Sequence, residues 1–208
     1  DVMKAIANIE EPKLEFLDIS YSKLVTDEGM KHFEEKKLPF KHLCMNGLDG
    51  LTSAGLCFPI LACKETLLHY EGALMDSEEV KDDFGKALGV CFGLQSIDLS
   101  GCRNLSDMFF NNLMNGEKKE GGMMIKPGLS DLSTLKINFL VKILDNSVMK
   151  MVKNCSSLEH LELAGCETLT EFCIETIVKD YRNITFLDVN HIPVMTAAFY
   201  ENLKNIRP

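Results

Sequence analysis

Apolar residues recur along the chain in a short frame with the spacing Leu-x-x-Leu-x-Leu. The two clearest copies run from Leu94 to Cys102 and from Leu158 to Cys166, and they align without a gap. Further copies start at residues 14, 40, 132 and 184, and a degenerate copy starts at residue 67. The starts lie 26 or 27 residues apart, except for one step of 38 between the fourth and the fifth. Self-similarity at a fixed period predicts a repeat architecture.

Each repeat carries a second group of apolar positions after this frame. An apolar residue stands eleven places after the start in every copy except the third, where Glu78 breaks the column. Further on, pairs such as Phe109 and Leu113 have the spacing of an amphipathic helix. Each repeat is therefore predicted to contain a short strand, a turn and a helix. Between Leu67 and Leu88 we expect a local irregularity.

The stacking of these units predicts the fold. One unit cannot bury its own apolar face, whereas stacked neighbours form a continuous core, in which Leu99 and Leu163 should be fully buried. Strands joined through helices must pair in parallel, and helices are wider than the roughly 4.8 Å spacing of strands. We therefore expect an α/β solenoid of about seven repeats, a horseshoe with parallel strands on the concave face and helices on the convex face.

Two segments depart from the regular repeat. Residues 1–13 are expected to form the helix of a truncated earlier repeat, with Asp1 as its N-cap, ahead of one repeat domain over residues 14–208. The long step places an insertion near residues 115–131, which is rich in glycine and charge and is predicted to be a loop. Met123, Met124 and Ile125 at its tip are candidate partner contacts. The alternative is a surface loop with no role in binding.

The repeat resembles a known subclass. The order Leu-x-x-Leu-x-Leu-x-Gly-Cys-x-x-Leu-[Ser/Thr]-[Asp/Glu], best seen from Leu94 to Asp107 and from Leu158 to Glu171, is similar to the cysteine-containing leucine-rich repeat. Such repeats are best known from F-box/leucine-rich-repeat proteins, the substrate receptors of ubiquitin ligases. The resemblance implies a protein-interaction scaffold, with a Skp1-like adaptor bound through an F-box outside this sequence. A structural adaptor subunit of a ciliary, axonemal or organellar complex is the alternative.

Composition and charge narrow the class of partner. The 208 residues include 22 Lys+Arg and 31 Asp+Glu, a formal charge of -9. Because nucleic-acid-binding proteins normally carry a basic face, we expect no nucleic-acid partner. The longest uncharged run, 14 residues from Gly50 to Cys63, is shorter than the roughly 20 apolar residues of a membrane span. Most of the eight cysteines stand at repeated apolar positions, so we expect free thiols in an intracellular compartment, namely the cytoplasm, the nucleus or a cilium.

Alternation along the strands defines the concave face, because residues two, four and six places after each start point away from the core. The fourth-place column (the fourth column) is Asp18, Cys44, Glu71, Asp98, Lys136, Glu162 and Asp188. Five of these seven residues are acidic, although like charges on neighbouring strands are mildly destabilising. We therefore expect this stripe to bind a basic segment of a protein partner; a merely solvated face is the alternative. As an exposed member, Glu162 should tolerate alanine with little effect on folding.

The second-place column (the second column) is Phe16, His42, His69, Ser96, Thr134, His160 and Phe186. The two phenylalanines are candidate apolar anchors for the partner, or else partly buried caps at the two ends of the arc. His42 and His69 should be neighbours and outline, with Glu71, a candidate metal site. An ordinary surface pair of histidines is the competing interpretation, and it is the one we adopt.

Catalysis has no convincing candidate in the sequence. A nucleophilic Cys or Ser needs an adjacent base, and the cysteine expected on the concave face is Cys44, near His42. The sequence contains neither of the glycine-rich phosphate-binding motifs. We therefore expect no enzymatic activity and no cofactor.

Overall fold

The computed structural model describes residues 2–9, 13–115 and 129–206, and its centre is one parallel sheet. The strands β1 to β7 are Phe16–Asp18, His42–Cys44, His69–Glu71, Ser96–Asp98, Thr134–Lys136, His160–Glu162 and Phe186–Asp188. They pair in chain order, each with the next. Every strand occupies the second to fourth places after a predicted start, so the frame of seven repeats is confirmed.

The register of the sheet aligns equivalent residues of successive repeats. Phe16 pairs with His42 and Asp18 with Cys44, and the same correspondence continues to the last strand. Even across the step of 38 residues, Ser96 pairs with its equivalent in β5. The longer step therefore leaves the register of the sheet unchanged, and both predicted columns run unbroken from β1 to β7.

Helices lie on the other side of the sheet. They are α1 Val2–Ala7, α2 Asp27–Met30, α3 Ser53–Ala62, α4 Gly85–Gly89, α5 Asp107–Met114, α6 Asp145–Asn154, α7 Glu171–Asp180 and α8 Ala197–Ile206, with 3-10 turns at Lys31–Phe33 and Asp82–Phe84. Helix α1 contacts α2 and the first 3-10 turn, and it buries Met3 and Ala7. A helix thus occupies the segment that we assign to an earlier repeat, while Asp1 lies outside the described residues.

The apolar positions of the frame form the core. Leu99 and Leu163 are fully buried, as predicted. Leu14, which opens the first repeat, differs from its equivalents and is 39% exposed. Leu14 precedes β1, which lies at an edge of the described sheet.

The third repeat is irregular, as predicted, and its packing explains why. Its helical part is a 3-10 turn followed by the five-residue α4, and Glu78 is exposed. Tyr70 stands where the other repeats have Leu or Ile, and it is fully buried. A Cβ atom added at Gly72, where the other repeats have a larger apolar residue, would lie 2.6 Å from the Tyr70 hydroxyl and 2.7 Å from Met75 Cε. The tyrosine ring therefore fills the space that Gly72 leaves.

Aspartates at the start of helical segments connect neighbouring repeats. Asp27 accepts hydrogen bonds from the backbone N–H and the hydroxyl of Thr52 at 3.0 and 2.6 Å. Asp82 accepts the same pair from Ser106 at 2.8 and 2.6 Å, and a third contact of this kind joins α6 to the start of α7. Thr52 and Ser106 also cap their own helices. An aspartate at the start of one helical segment thus positions the Thr or Ser that caps the helix of the next repeat.

The cysteines have a structural role. All eight lie among the described residues as free thiols, and seven are buried. Sγ of Cys102 donates to the carbonyl of Gly72 at 3.0 Å, and Sγ of Cys166 donates to the equivalent carbonyl, that of Ile137, at 3.1 Å. Burial raises the pKa of Cys102 to about 12 and that of Cys166 to about 11. Both thiols are therefore protonated at neutral pH, and each ties its own repeat to the one before it.

Candidate functional site

The second column forms an aromatic stack near each end of the sheet. In the first stack, the ring centroids of Phe16 and His42 are 5.8 Å apart, and those of His42 and His69 are 4.0 Å apart. In the second, His160 and Phe186 have centroids 4.1 Å apart and planes inclined by 11°. Phe16 is 53% exposed and Phe186 is 47% exposed. Each stack therefore supports a phenylalanine that is still accessible, and the role of both as partner anchors stays a prediction.

The two histidines of the first stack are packed against each other. Burial lowers the pKa of His69, the charge of His42 lowers it further, and Glu71 acts in the opposite direction. In the described parts of the chain, no group of three or more His, Cys, Asp or Glu side chains is placed to hold a metal ion. What the structure shows here is a pair of neighbouring rings whose planes are inclined by 31°.

Three aspartates of the fourth column each make the same kind of hydrogen bond within their own turn. In Asp18, Asp98 and Asp188, Oδ1 accepts the backbone N–H two residues later at 2.9 Å. Aspartate favours turns because its side chain can make this hydrogen bond. These carboxylates therefore shape the turn after each strand, in addition to any contact with a partner.

Glu162 is not the freely exposed acid that the sequence predicts. Its Oε1 lies 2.8 Å from His160 Nε2 and 3.4 Å from Lys136 Nζ, and its Oε2 accepts a hydrogen bond from Asn138 Nδ2 at 2.7 Å. Burial opposes ionisation, but the hydrogen bonds from His160 and Asn138 and the charge of Lys136 outweigh it and lower the pKa of Glu162. We therefore correct the expectation for Glu162→Ala to a loss of about 1 kcal/mol in folding stability.

In the part of the chain that the structure describes, the carboxylates of the fourth column without an ion pair are consequently three in the first four repeats and Asp188 in the seventh. Among the described residues, no Lys, Arg or His nitrogen lies within 4.0 Å of the carboxylates of Asp18, Glu71 and Asp98. Lys136, which pairs with Asp98 across β4 and β5, contacts Glu162 instead. We call Asp18, Glu71 and Asp98 the acidic patch.

Cys44 lies inside the acidic patch but lacks the properties of a nucleophile. It pairs with Asp18 on one side and Glu71 on the other. It is only 6% exposed, and burial together with the two carboxylates raises its pKa to about 12. Because the thiolate is the reactive form of cysteine, this environment argues against a catalytic pair with His42.

Asparagines stand six places after three of the starts, and two of them make contacts that were not predicted from the sequence. Asn46 donates to Glu71 at 3.4 Å, and Asn138 donates to Glu162. Both also accept the backbone N–H at the same place of the next repeat, at 2.8 Å. The recurrence of asparagine at this place in the second, fifth and seventh repeats was the available signal. Met123, Met124 and Ile125 lie outside the described residues, so their role stays a prediction.

An open parallel sheet with one strand, one turn and one helical segment per repeat is a leucine-rich-repeat solenoid. A family model for the leucine-rich repeat matches residues 11–33. No curated protein matches the chain. In the described residues, no helix is long and apolar enough to cross a membrane.

Two solved structures are similar over most of the chain. A chain in the crystal structure of the Rad7 and Elc1 complex in yeast matches with a TM-score of 0.55 and 15% identity, over 98% of this chain and 63% of that one. InlP of Listeria monocytogenes matches with a TM-score of 0.53 and 16% identity, over 91% of this chain and 49% of that one. At such identities the likeness shows the fold, and this chain spans less than two thirds of the length of either structure.

Proposed function

We propose that this chain is a non-catalytic protein-interaction scaffold whose concave face binds a basic segment of a partner protein. The observation that carries the proposal is the acidic patch, whose three carboxylates stand in register on β1, β3 and β4 without a cationic partner among the described residues. Like charges on neighbouring strands cost stability, which a basic ligand would restore. Phe16, half-exposed in the neighbouring column, offers an apolar anchor beside the patch.

The finer proposal is that the scaffold is the substrate-recognition region of an F-box-type ubiquitin-ligase receptor in the cytoplasm or nucleus. Its support is the similarity of the repeats, such as Leu158 to Glu171, to those of F-box/leucine-rich-repeat proteins. A similar fold in a complex of Rad7 with Elc1 is consistent with it. A Skp1-like adaptor would then bind an F-box in a part of the polypeptide outside this sequence.

Variants in which carboxylates of the acidic patch are replaced by amides test whether this patch binds the partner. Glu71→Gln combined with Asp98→Asn removes two charges but keeps side-chain size and the turn contact of residue 98. We expect partner binding to weaken about tenfold and to depend less on salt. Glu175→Gln combined with Asp180→Asn removes the same charge from α7 and should leave binding unchanged. Equal binding by all three proteins at every salt concentration would contradict the proposal.

Purification of the native polypeptide tests the receptor role. A tagged full-length protein should retain a Skp1-like adaptor through washes that remove weakly bound proteins. The adaptor should be lost when the segment outside residues 1–208 is deleted. Stable native complexes without such an adaptor would favour the structural-adaptor role in a ciliary or organellar assembly.

A further inference from the structure

The residue seven places after each repeat start has a left-handed backbone. This column is Tyr21, Gly47, Leu74, Gly101, Phe139, Gly165 and His191, with φ between 58° and 77°. Left-handed backbone is strained for most residues with a side chain, and glycine is the usual solution. Four of the seven positions nevertheless carry a large side chain, and three of those are apolar.

A hydrogen-bond ladder holds the column in this conformation. The N–H of Tyr21 donates to the carbonyl of Asn46 at 2.7 Å, and the N–H of Leu74 donates to that of Ser100 at 2.7 Å. The same contact recurs at the later members up to the sixth repeat. The fold therefore imposes the left-handed backbone at every repeat, and only the choice of side chain is free.

Large residues and glycines alternate strictly along this column. A Cβ atom added at Gly47 would lie 2.6 Å from the ring of Tyr21, and one added at Gly101 would lie 2.7 Å from Leu74 Cδ2. The Phe139 ring covers Gly165 in the same way. Each large side chain thus lies across the glycine of the next repeat. The large side chains nevertheless stay accessible to solvent. Tyr21 is 62% exposed, Leu74 52% and Phe139 45%.

These three side chains, Tyr21, Leu74 and Phe139, form an apolar ridge beside the C-terminal ends of the strands. Its members recur every second repeat, which is roughly 9.6 Å at the usual strand spacing. Tyr21 and Leu74 each follow a carboxylate of the acidic patch by three residues, Asp18 and Glu71 respectively. Strained residues that a glycine would relieve, exposed beside unpaired charge, point to a function outside folding.

We propose that the apolar ridge and the acidic patch together bind an extended partner segment in the polyproline II conformation, with an apolar residue at every third position and Lys or Arg between. This conformation has three residues per turn and rises about 3.1 Å per residue, so its equivalent side chains recur every 9.3 Å or so. That period matches two repeats of the sheet. A β-strand presents equivalent side chains roughly every 6.7 Å and matches less well. The inference rests on the proposed function and specifies the shape and pattern of the basic segment.

A synthetic peptide of Leu-Pro-Lys triplets, about 12 residues long, is the probe. Labelled with a fluorophore, it should bind the chain in anisotropy titrations. A peptide of the same composition in scrambled order, and one with Glu in place of Lys, should bind at least about tenfold more weakly. Equal binding of the ordered and scrambled peptides would overturn the proposed spacing.

Glycine variants separate binding from folding. Leu74→Gly combined with Phe139→Gly removes two of the three side chains of the ridge and relieves the strained backbone at both positions, so urea unfolding should show a folded protein. The affinity for the ordered peptide should fall about tenfold or more. Leu74→Asn combined with Phe139→Asn is a second pair, since asparagine tolerates this backbone. Phe172→Ser, at an exposed site on α7, is the matched control and should bind normally.

The charge variants distinguish this inference from the proposed function. If Glu71→Gln with Asp98→Asn weakens binding while the glycine variants bind normally, the acidic patch keeps its role and the ridge has none. If the glycine variants alone weaken binding, the ridge is confirmed as a docking site and the basic character of the segment is refuted. If neither set changes binding, both proposals fail.

Discussion

The pair Tyr70 and Gly72 should show strong energetic coupling. The regular fourth repeat has Ile97 and Leu99 at these two places. Tyr70→Leu alone leaves part of the buried ring volume empty and should cost about 2 kcal/mol of unfolding free energy. Gly72→Leu alone places its Cβ 2.6 Å from the tyrosine hydroxyl, and such overpacking should cost about 2 kcal/mol as well.

The double variant should recover most of both losses. It restores the apolar pair of the other repeats and removes the Tyr70 hydroxyl, a buried oxygen without a hydrogen-bond partner among the described residues. The other close atom, Met75 Cε, ends a flexible side chain and can move aside. We expect the double variant within about 1 kcal/mol of the wild type, whereas additivity predicts a loss of about 4, so the coupling energy is about 3 kcal/mol.

Urea unfolding followed by circular dichroism measures all four proteins of this cycle. Equal slopes would show that the same surface is exposed in each case. Ile97→Leu, a size-conserving exchange in a regular repeat, is the control and should cost less than about 1.5 kcal/mol. A double variant about 4 kcal/mol less stable than the wild type would refute the argument that the ring occupies the side-chain space of Gly72.

Other expectations concern single side chains. Asp82→Ala should lower the unfolding free energy measured by urea titration by about 1–2 kcal/mol, because it removes the acceptor of two hydrogen bonds from the next repeat. The control Asp83→Ala loses only an exposed ion pair and should change the unfolding free energy by less than about 0.5 kcal/mol. Leu163→Asp should cost about 3–5 kcal/mol by burying an unpaired charge, whereas Phe172→Asp, at a site 66% exposed, should be tolerated, and equal losses would contradict the assigned core. Because folding lowers the pKa of His69, the unfolded chain binds an additional proton below about pH 6.5. Stability measured against pH should therefore fall as the pH drops from about 7 through the folded pKa, and the slope should flatten in His69→Asn; an unchanged slope would show that His69 is not its source.

The strands and both concave columns were predictable because burial and register are linked in a repeat. A shift of one residue would turn every buried leucine of a strand to the opposite face. The frame that starts at Leu94 therefore determines where Ser96 and Asp98 point, and the same holds for each copy. Leu14 departs from the prediction only in its burial, because the frame does not show that β1 lies at an edge of the described sheet.

The state of individual carboxylates was less predictable, because it depends on neighbours in three dimensions. The column order already placed Lys136 beside Glu162, but the contacts with His160 and Asn138 depend on side-chain conformations and on the turn after β5. Counting acids thus overestimated the free charge in the second half of the column. For Asp98 the count was correct, because its neighbour on β5, Lys136, contacts Glu162 instead.

The left-handed column shows what a comparison of single repeats cannot find. In a comparison of single repeats, Tyr21 and Phe139 are strained by the left-handed backbone, whereas Gly47 and Gly165 adopt it without strain. Judged in pairs, each large residue is compatible with its neighbour only because the next repeat has a glycine beneath it. The unit of the apolar ridge is therefore two repeats, although the unit of the fold is one. Deletion of a single internal repeat should keep the sheet in register but bring two large residues or two glycines together, and so disrupt the spacing of the ridge while leaving the solenoid intact.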